Sequence, residues 1–252
     1  MKWLTALALL TSIFNSLADW KLAATSDLEK LPGGASVRRS ELGDNGVSAQ
    51  LTAIVFSSKS YSLRVVDSAS PGQTKLAAAL QEAGCVAGVN GSYFQEDFRP
   101  VGLMVAEGRE IHPFEKAKLL AGVLTVRGTR LEIVRSSKFA GSSDLRQALQ
   151  CGPMLVEGGH PTTGLNAARS ARRTVVATDG RGRWALIYLT SVTLADAAQI
   201  LTTPGVLGDW MPSTALNLDG GSSSGLWAAA FPAPVSLPEF GHVRNYIGIV
   251  PR

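Results

Sequence analysis

The sequence contains few of the residues that bind metal ions or form disulfide bonds. Its 252 residues include two cysteines and three histidines. Two cysteines exclude a disulfide-dense scaffold and a four-cysteine zinc site. The histidines, at 112, 160 and 242, are 48 and 82 residues apart, too far for the helical spacing of an HExxH enzyme. We therefore expect neither a metal ion nor another cofactor.

The excess of positive over negative charge is also small. The chain has 24 basic and 20 acidic residues, a net charge of +4, and no run of four basic residues. So small an excess gives no indication of a nucleic-acid partner. Arginine outnumbers lysine 16 to 8, and the guanidinium fork suits phosphate or carboxylate recognition. Biased codon usage is the alternative explanation of that ratio.

One apolar run stands out, at the N-terminus. Residues 3–14 follow Lys2 and are mostly apolar, and residues 16–18 (SLA) place small side chains at the −3 and −1 positions of a cleavage site. The pattern is typical of a secretory signal peptide and is too short for a membrane span. An uncleaved amphipathic anchor is the alternative. We expect cleavage after Ala18, a periplasmic or secreted protein, and no stable membrane span afterwards.

Export bears on the two cysteines. Outside the cytosol Cys85 and Cys151 could form one disulfide bond. Each also lies beside a short apolar run, so two buried free thiols are the alternative. Neither cysteine has a nearby histidine in the sequence that would mark a catalytic nucleophile.

Periodicity predicts many short strands and few helices. Residues 50–56 and 61–66 are β-branched runs around a polar turn, which predicts a hairpin. Helices are predicted at 74–83, 144–150 and 193–202, and residues 19–48 are expected to hold one short strand. The fold class is therefore α+β, a single domain of mixed, mostly antiparallel sheets with a few short helices. We divide the chain into a signal peptide (1–18), N-terminal strands (19–70) and the remainder of the domain (71–252).

The most informative stretch is residues 217–224 (NLDGGSSS). Asn217 and Asp219 flank Leu218, so their side chains share one face of a strand. Gly220 and Gly221 would let the backbone turn sharply and aim N–H groups into an anion-binding concavity, and the serines add donors. A plain strand–turn–strand, with Asp219 closing an Asx turn, is the alternative.

Three other segments carry candidate residues. Arg172 and Arg173 open a strand at Thr174, and arginines at a strand end can hold a phosphate. Residues 90–94 (NGSYF) and 151–155 (CGPML) each join a tight turn to a strand. Taken alone, each segment is equally well explained as an ordinary turn.

Together, in this order and spacing, these segments resemble the phosphodiester glycosidase family from about residue 90 to the C-terminus. Residues 90–94 match its NG-G-[FY]-F element, residues 152–155 its G-P-x-L element, residues 173–174 its R-T strand start, residues 215–223 its N-L-D-G-G block, and residues 243–245 its V-x-N segment. Ser92 and Ser222 stand where the family usually has glycine, and a side chain at either position could narrow the pocket.

The resemblance implies cleavage of a sugar-1-phosphodiester at the anomeric C–O bond. The leaving group is a phosphate monoester, a stable anion that arginine and backbone N–H groups could stabilise. Asp219 is then the catalytic carboxylate, as nucleophile or base, and Glu157 or Asp97 would serve if a second is needed. The expected substrate-binding residues are Asn90, Gly91, Gly152, Arg172, Arg173, Thr174, Asn217, Gly220, Gly221 and Ser222.

Within that set, Arg173, with Arg172, would hold the phosphate, and Asn90 and Asn217 would bind sugar hydroxyls. The expected partner is therefore a carbohydrate phosphodiester, in envelope or extracellular glycans. Two rival functions remain: a non-catalytic polysaccharide-binding or assembly module of the same fold, and a metal-dependent phosphodiesterase that attacks phosphorus. The scarcity of histidine argues against the latter.

Overall fold

A computed structural model of the chain describes residues 19–26, 29–69 and 74–252. The expected signal peptide lies outside the described residues. No helix within these ranges is long and apolar enough to cross a membrane. The elements are β1 Lys21–Thr25, β2 Glu29–Lys30, β3 Ser36–Asp44, β4 Val47–Ser57, β5 Tyr61–Asp67, α1 Leu76–Glu82, β6 Ala87–Asn90, β7 Met104–Ala106, β8 Arg109–His112, β9 Gly122–Arg127, β10 Arg130–Arg135, β11 Leu145–Cys151, β12 Met154–Glu157, β13 His160–Pro161, β14 Ala171–Thr178, β15 Arg183–Val192, α2 Leu194–Leu201, β16 Thr214–Asn217, β17 Leu226–Ala228, β18 Val235–Leu237 and β19 Asn245–Pro251.

The strands form one large sheet and two small ones. The large sheet has nine strands in the order β1-β3-β4-β15-β14-β16-β12-β13, with β2 paired to β3. The first small sheet runs β10-β9-β11-β7-β8 and the second runs β18-β17-β6-β19-β5. The strand pairings are antiparallel in all three sheets, so the mostly antiparallel architecture is confirmed. Two one-turn 3-10 helices, Ser136–Lys138 and Gly221–Ser223, complete the elements.

The main core lies where the three sheets face one another. Its buried side chains come from the large sheet (Ile54, Leu186), the first small sheet (Leu149) and the second small sheet (Val89, Ile247). A second core forms between the opposite face of the large sheet and α2. Each fully buried aliphatic side chain contributes about 1.5–3 kcal/mol, so burial on both faces of the large sheet fixes its register.

The two α-helices within the described ranges lie where the sequence predicts them. α2 begins after Thr193, whose hydroxyl accepts the Asp196 N–H at 3.0 Å while the Asp196 carboxylate accepts the Thr193 N–H at 3.1 Å. This reciprocal capping box satisfies two donors that the first turn would otherwise leave unbonded. α1 packs Leu76, Ala79 and Leu80 against the second small sheet.

The helix predicted at 144–150 is wrong. The segment is strand β11, which lies between β9 and β7. Gln147 and Gln150 lie in this segment, and both are buried. The Oε1 of Gln147 accepts the N–H of Val65 at 3.1 Å, and that of Gln150 accepts the N–H of Leu103 at 2.9 Å. Long-range bonds to neighbouring segments thus place polar side chains inside a sheet.

The hairpin predicted at 50–66 is also wrong. Both strands exist, but β4 pairs with β3 and β15, whereas β5 pairs with β19 of another sheet. The polar turn between them is a crossing from the large sheet to the second small sheet. Residues 19–48 hold more structure than the single short strand expected, because β1 to β3 and the start of β4 lie there.

The two cysteines are free thiols. Cys85 lies beside Gly248, close to α1, and Cys151 ends β11. Burial raises the pKa of Cys85 to about 11 and also raises the pKa of Cys151. Of the two alternatives left open by the sequence, the structure has the buried thiols, and at neutral pH they are protonated and unreactive.

Candidate functional site

The segments singled out in the sequence converge at one end of the large sheet. The end of β16 lies between β14 and β12, with Asn217 opposite Val175 and Leu216 opposite both Val176 and Met154. The end of β6, in the second small sheet, reaches the same place. Antiparallel pairing brings residues 152–154, 172–174 and 217 together, and hydrogen bonds between the two sheets add residues 90–91. Up to about 130 positions separate these segments in the sequence.

Buried hydrogen bonds fix the loop that follows β16. The N–H of Asp219 donates to the carbonyl of Gly91 at 2.9 Å, and the side-chain amide of Asn90 donates to the carbonyl of Asp219 at 2.8 Å. Asn90 Oδ1 in turn accepts from the Thr174 hydroxyl at 2.6 Å and from the N–H of Gly225 at 3.1 Å. The backbone of Asp219 is therefore held by the second small sheet, and its carboxylate takes no part in these bonds.

The Asp219 carboxylate is the titratable centre of the site. Its Oδ1 accepts the N–H of Gly220 at 2.8 Å, and the carboxylate also accepts a hydrogen bond from the Ser223 hydroxyl. Burial raises the pKa of Asp219 above the usual value of an aspartate, and the two hydrogen bonds oppose that shift only in part. A partly buried carboxylate with a raised pKa is suited to proton transfer.

Tyr93 is a site residue that the sequence reasoning did not select. Its phenol donates to the carbonyl of Gly152 at 2.6 Å and accepts from the Asn217 amide at 3.1 Å. Burial, followed by the nearby Cys151 and Asp219, raises the pKa of Tyr93, so the phenol stays neutral. Its place in the NGSYF segment was the available signal, but of that segment only Asn90 and Gly91 were chosen as substrate-binding residues.

Asn90 and Asn217 do not reach the surface. Their exposed fractions are 0% and 2%, and the Asn217 amide donates to the carbonyl of Gly152 at 2.9 Å. Asn217 Oδ1 is buried with no hydrogen-bond partner among the described residues. As placed here, both asparagines and Thr174 support the loops, so their direct contact with sugar hydroxyls stays a prediction.

Two arginines, Arg172 and Arg173, border the loop, and each has guanidinium N–H groups without a partner among the described residues. Arg173 donates through Nε to the carbonyl of Val192 at 3.0 Å and through Nη2 to that of Arg169 at 2.7 Å. Its Nη1 lies 3.8 Å from the point where a Cβ on Gly220 would stand, and it has no protein partner in the part of the chain described. Burial lowers the pKa of Arg173, but an arginine stays charged at neutral pH.

The charge balance around these arginines favours an anion. Ten of the 16 arginines form an ion pair with a carboxylate, and Arg169, Arg172 and Arg173 are three of the six that form none within the described ranges. Three cations within five positions, without a protein counterion, repel one another unless an anion joins them. A phosphate between Arg173 and the loop would supply that charge.

The glycines of the loop provide backbone donors. Gly221 has φ +65°, a left-handed conformation that disfavours other residues, and it opens the one-turn helix Gly221–Ser223. A Cβ on Gly220 would lie 2.9 Å from the carbonyl oxygen of Arg172. The N–H groups of Gly221 and Ser222 have no acceptor within the described residues, so they remain available to a bound anion.

The two serines that replace family glycines face different surroundings. Ser92 is 1% exposed, and its N–H donates at 2.8 Å to Oδ1 of Asn245. A Cβ on Gly91 would lie 1.9 Å from that same oxygen, which accounts for glycine there. The Ser92 side chain is therefore packed against Asn245 and away from solvent. Ser222 is exposed, so of the two it is the one whose side chain can meet a ligand.

The two carboxylates considered as partners of Asp219 are held in ion pairs with other arginines. Glu157 accepts from Arg135 Nε at 2.8 Å, and its position opposite Thr214 places it three residues, about 10 Å, along the sheet from Met154. Asp97 accepts from Arg99 Nε at 2.7 Å, and that hydrogen bond lowers its pKa. The described ranges also contain no group of three or more His, Cys, Asp and Glu side chains that could hold a metal ion.

Comparison with known proteins assigns the chain to a family. The family model for phosphodiester glycosidases (NAGPA) matches residues 83–250, two thirds of the chain, and every site segment lies within the match. The protein is a member of the phosphodiester glycosidase family, as the motifs predict. YigE of Escherichia coli K12 is 31% identical over 103 residues, which are 37% of this chain and 41% of YigE.

Solved structures share the fold. The catalytic domain of zebrafish N-acetylglucosamine-1-phosphodiester alpha-N-acetylglucosaminidase, auto-inhibited by its pro-peptide, superposes with a TM-score of 0.63 at 15% identity, covering 96% of this chain and 86% of that one. A hypothetical protein from Synechocystis superposes with a TM-score of 0.61 at 15% identity, and the match covers 87% of this chain and 62% of the Synechocystis chain. Identities this low establish a common architecture.

Proposed function

We propose that the protein is an exported hydrolase that cleaves a sugar-1-phosphodiester at the anomeric C–O bond. The observation that carries the proposal is the meeting of Asp219, a carboxylate with a raised pKa, with Arg173, a cation without a counterion, on either side of Gly220. One group is suited to accept a proton and the other to hold a leaving phosphate.

Asp219 acts as a general base in this proposal. It takes a proton from water as the water oxygen attacks the anomeric carbon, and the electron pair of the C–O bond leaves with the phosphate monoester. Because that anion is a weak base, it needs no proton from an acid, so one carboxylate suffices. Glu157 and Asp97 are held in ion pairs with arginines, which supports a one-carboxylate mechanism.

Arg173 and the loop backbone hold the phosphate. Nη1 of Arg173 and the N–H groups of Gly221 and Ser222 are donors in the described site that no protein group uses. Charge-assisted donors placed where negative charge develops lower the barrier most when they are fixed beforehand. The bonds of Arg173 to Val192 and Arg169 provide that rigidity.

The buried hydrogen-bonded residues position these groups. Asn90, Thr174 and Gly91 bind one another or the backbone of the Asp219 loop. The carbonyl of Gly152 accepts from the side chains of Tyr93 and Asn217, which also bind each other. We assign them a positioning role, in place of the direct substrate contact expected from the sequence for the two asparagines.

Direct attack by water predicts inversion at the anomeric carbon. The test is incubation of the purified mature protein with a panel of sugar-1-phosphodiesters, with the first sugar product observed by proton NMR before it mutarotates. We expect the anomer opposite to that of the substrate. Retention would contradict the general-base role and make Asp219 a nucleophile. Glycan binding without turnover of any diester would favour the non-catalytic module.

Export is part of the same proposal. Cleavage after Ala18 would leave Trp20 in place, and Trp20 is 7% exposed, packs into the second core and donates through Nε1 to Asp196 at 3.2 Å. N-terminal sequencing of the protein recovered from the periplasm or medium tests this: we expect Asp19 as the first residue. A chain that retains residues 1–18 would contradict it.

A further inference from the structure

Phe240 is a large apolar side chain exposed beside the site. Its exposed fraction is 77%, yet its backbone is held firmly, because its N–H donates to the carbonyl of Ser222 at 2.8 Å. The preceding Glu239 is 5% exposed and its carboxylate accepts the N–H of Leu76 at 2.9 Å. The segment thus presents the ring to solvent from a fixed backbone, next to the loop that carries Asp219.

Arg172 supports one face of this ring. Its guanidinium carbon lies 3.9 Å from the centre of the Phe240 ring, a close cation–π contact, and its Nε donates to the carbonyl of Gly221 at 2.9 Å. The guanidinium is therefore fixed between the loop and the ring. Its other nitrogens have no partner among the described residues, so charged donors lie beside an open aromatic face.

The order of groups along the loop places this pair on the leaving-group side. Arg173 lies beside Gly220, directly after the proposed base Asp219. Arg172 and Phe240 bind the next two residues, Gly221 and Ser222. A substrate with its anomeric carbon at Asp219 and its phosphate between Arg173 and the N–H groups of Gly221 and Ser222 would continue towards Phe240 with the alcohol on the far side of the phosphate.

We propose that Phe240, with Arg172 behind it, forms a platform that selects a ring-shaped alcohol on the far side of the phosphate. A hexose offers an apolar face of C–H groups to the open face of the aromatic ring, while Arg172 stacks on the opposite face and holds the ring in place. A linear or small alcohol offers little area to the ring. The inference rests on the proposed function and names the residue that sets preference for the leaving group.

The test compares two diesters that share the same sugar and differ in the esterifying alcohol, one a hexose and the other methanol. In the mature protein we expect Phe240→Ala to raise KM for the hexose diester about fivefold to tenfold, with little change for the methyl diester. Phe240→Tyr should retain the preference. The matched control is Phe231→Ala, since Phe231 is 79% exposed but bonds to Lys30 elsewhere on the surface.

Calorimetry with the Asp219→Asn variant separates this inference from the catalytic proposal. If the wild-type protein hydrolyses no diester, but the Asp219→Asn variant binds the hexose diester more tightly than the methyl diester and Phe240→Ala removes that difference, the platform stands and the catalytic proposal fails. If the wild type hydrolyses both diesters alike and the Asp219→Asn variant binds them alike, or Phe240→Ala weakens the binding of both equally, the platform is wrong and hydrolysis stands on its own. A lack of preference in both measurements overturns the platform outright.

Discussion

The side-chain amide of Asn90 donates a hydrogen bond of 2.8 Å to the backbone carbonyl of Asp219. This bond links the second small sheet to the loop that carries the proposed catalytic carboxylate. Because Asn90 is fully buried and also binds Thr174 and Gly225, the position of Asp219 depends on the packing of two sheets.

Replacing Asn90 should cost stability as well as activity. Asn90→Ala leaves the Thr174 hydroxyl, the Gly225 N–H and the Asp219 carbonyl without their buried partner, and we expect unfolding to become easier by about 2–3 kcal/mol. Chemical denaturation measures this. Asn166→Ala is the control, because Asn166 is exposed and makes local bonds. Equal decreases in the free energy of unfolding of the two variants would contradict a stabilising role for the buried bonds of Asn90.

Asp219→Asn should abolish most activity and leave the protein at least as stable. Removal of a general base lowers kcat by about 10²- to 10⁴-fold. The amide cannot ionise in a site that disfavours charge, so the free energy of unfolding at neutral pH should rise by about 0.5–2 kcal/mol. Kinetics and thermal denaturation of the same preparation test both effects. A folded variant with near wild-type activity would exclude Asp219 as the base.

The raised pKa of Asp219 also sets a pH dependence. As a base Asp219 must be ionised, so kcat/KM should fall as the pH drops through a pKa that is higher than that of an ordinary aspartate. The folded protein holds this proton more tightly than the unfolded chain, so its contribution to stability is present at low pH and is lost as pH rises through the folded pKa. The stability difference between Asp219→Asn and wild type should therefore vanish at low pH. A difference that persists at low pH would point to another cause.

Arg173→Ala should affect phosphodiesters selectively. Loss of a charge-assisted donor to the leaving phosphate predicts a fall in kcat/KM of about 10²- to 10³-fold, with a much smaller effect on an aryl glycoside that carries no phosphate. Arg181→Ala is the matched control, since Arg181 is exposed and its side chain also forms no ion pair with the described carboxylates. Equal losses for both substrates would contradict a phosphate role for Arg173.

Gly152 should not tolerate a side chain. A Cβ there would lie 2.1 Å from the carbonyl oxygen of Leu119 and 2.8 Å from the N–H nitrogen of Ala121, both backbone atoms that cannot move aside. We expect Gly152→Ala to destabilise the fold by about 3 kcal/mol or to prevent folding. Gly141→Ala, where a Cβ meets nothing within 4 Å, should change stability by less than about 0.5 kcal/mol. Similar melting temperatures for the two variants would contradict this.

Local pattern was sufficient for part of the fold and of the site. The helices predicted at 74–83 and 193–202 correspond to α1 and α2, and the β-branched runs at 50–56 and 61–66 are strands β4 and β5. Local pattern failed at Gln147 and Gln150, because their partners lie in other segments and only the tertiary fold provides them. The same reason hid the hydrogen bond of Tyr93 to Gly152.

The contact between Arg172 and Phe240 illustrates what spacing cannot predict. The two residues are 68 positions apart, and Phe240 lies in a segment without a family motif. The sequence reasoning placed Arg172 on the phosphate because it adjoins Arg173. In the structure a β-bulge between Ala171 and Arg173 interrupts the ladder. Arg172 donates to the loop carbonyl of Gly221, whereas Arg173 donates to the carbonyls of Val192 and Arg169 outside the loop.

Hydrolysis in oxygen-18 water tests the central claim most directly, because it identifies which bond breaks. Attack on the anomeric carbon with Asp219 as base places the label in the released sugar and leaves the phosphate monoester unlabelled, as mass spectrometry of both products would show. Label in the phosphate monoester would mean attack at phosphorus. That result would contradict the roles given to Asp219 and Arg173.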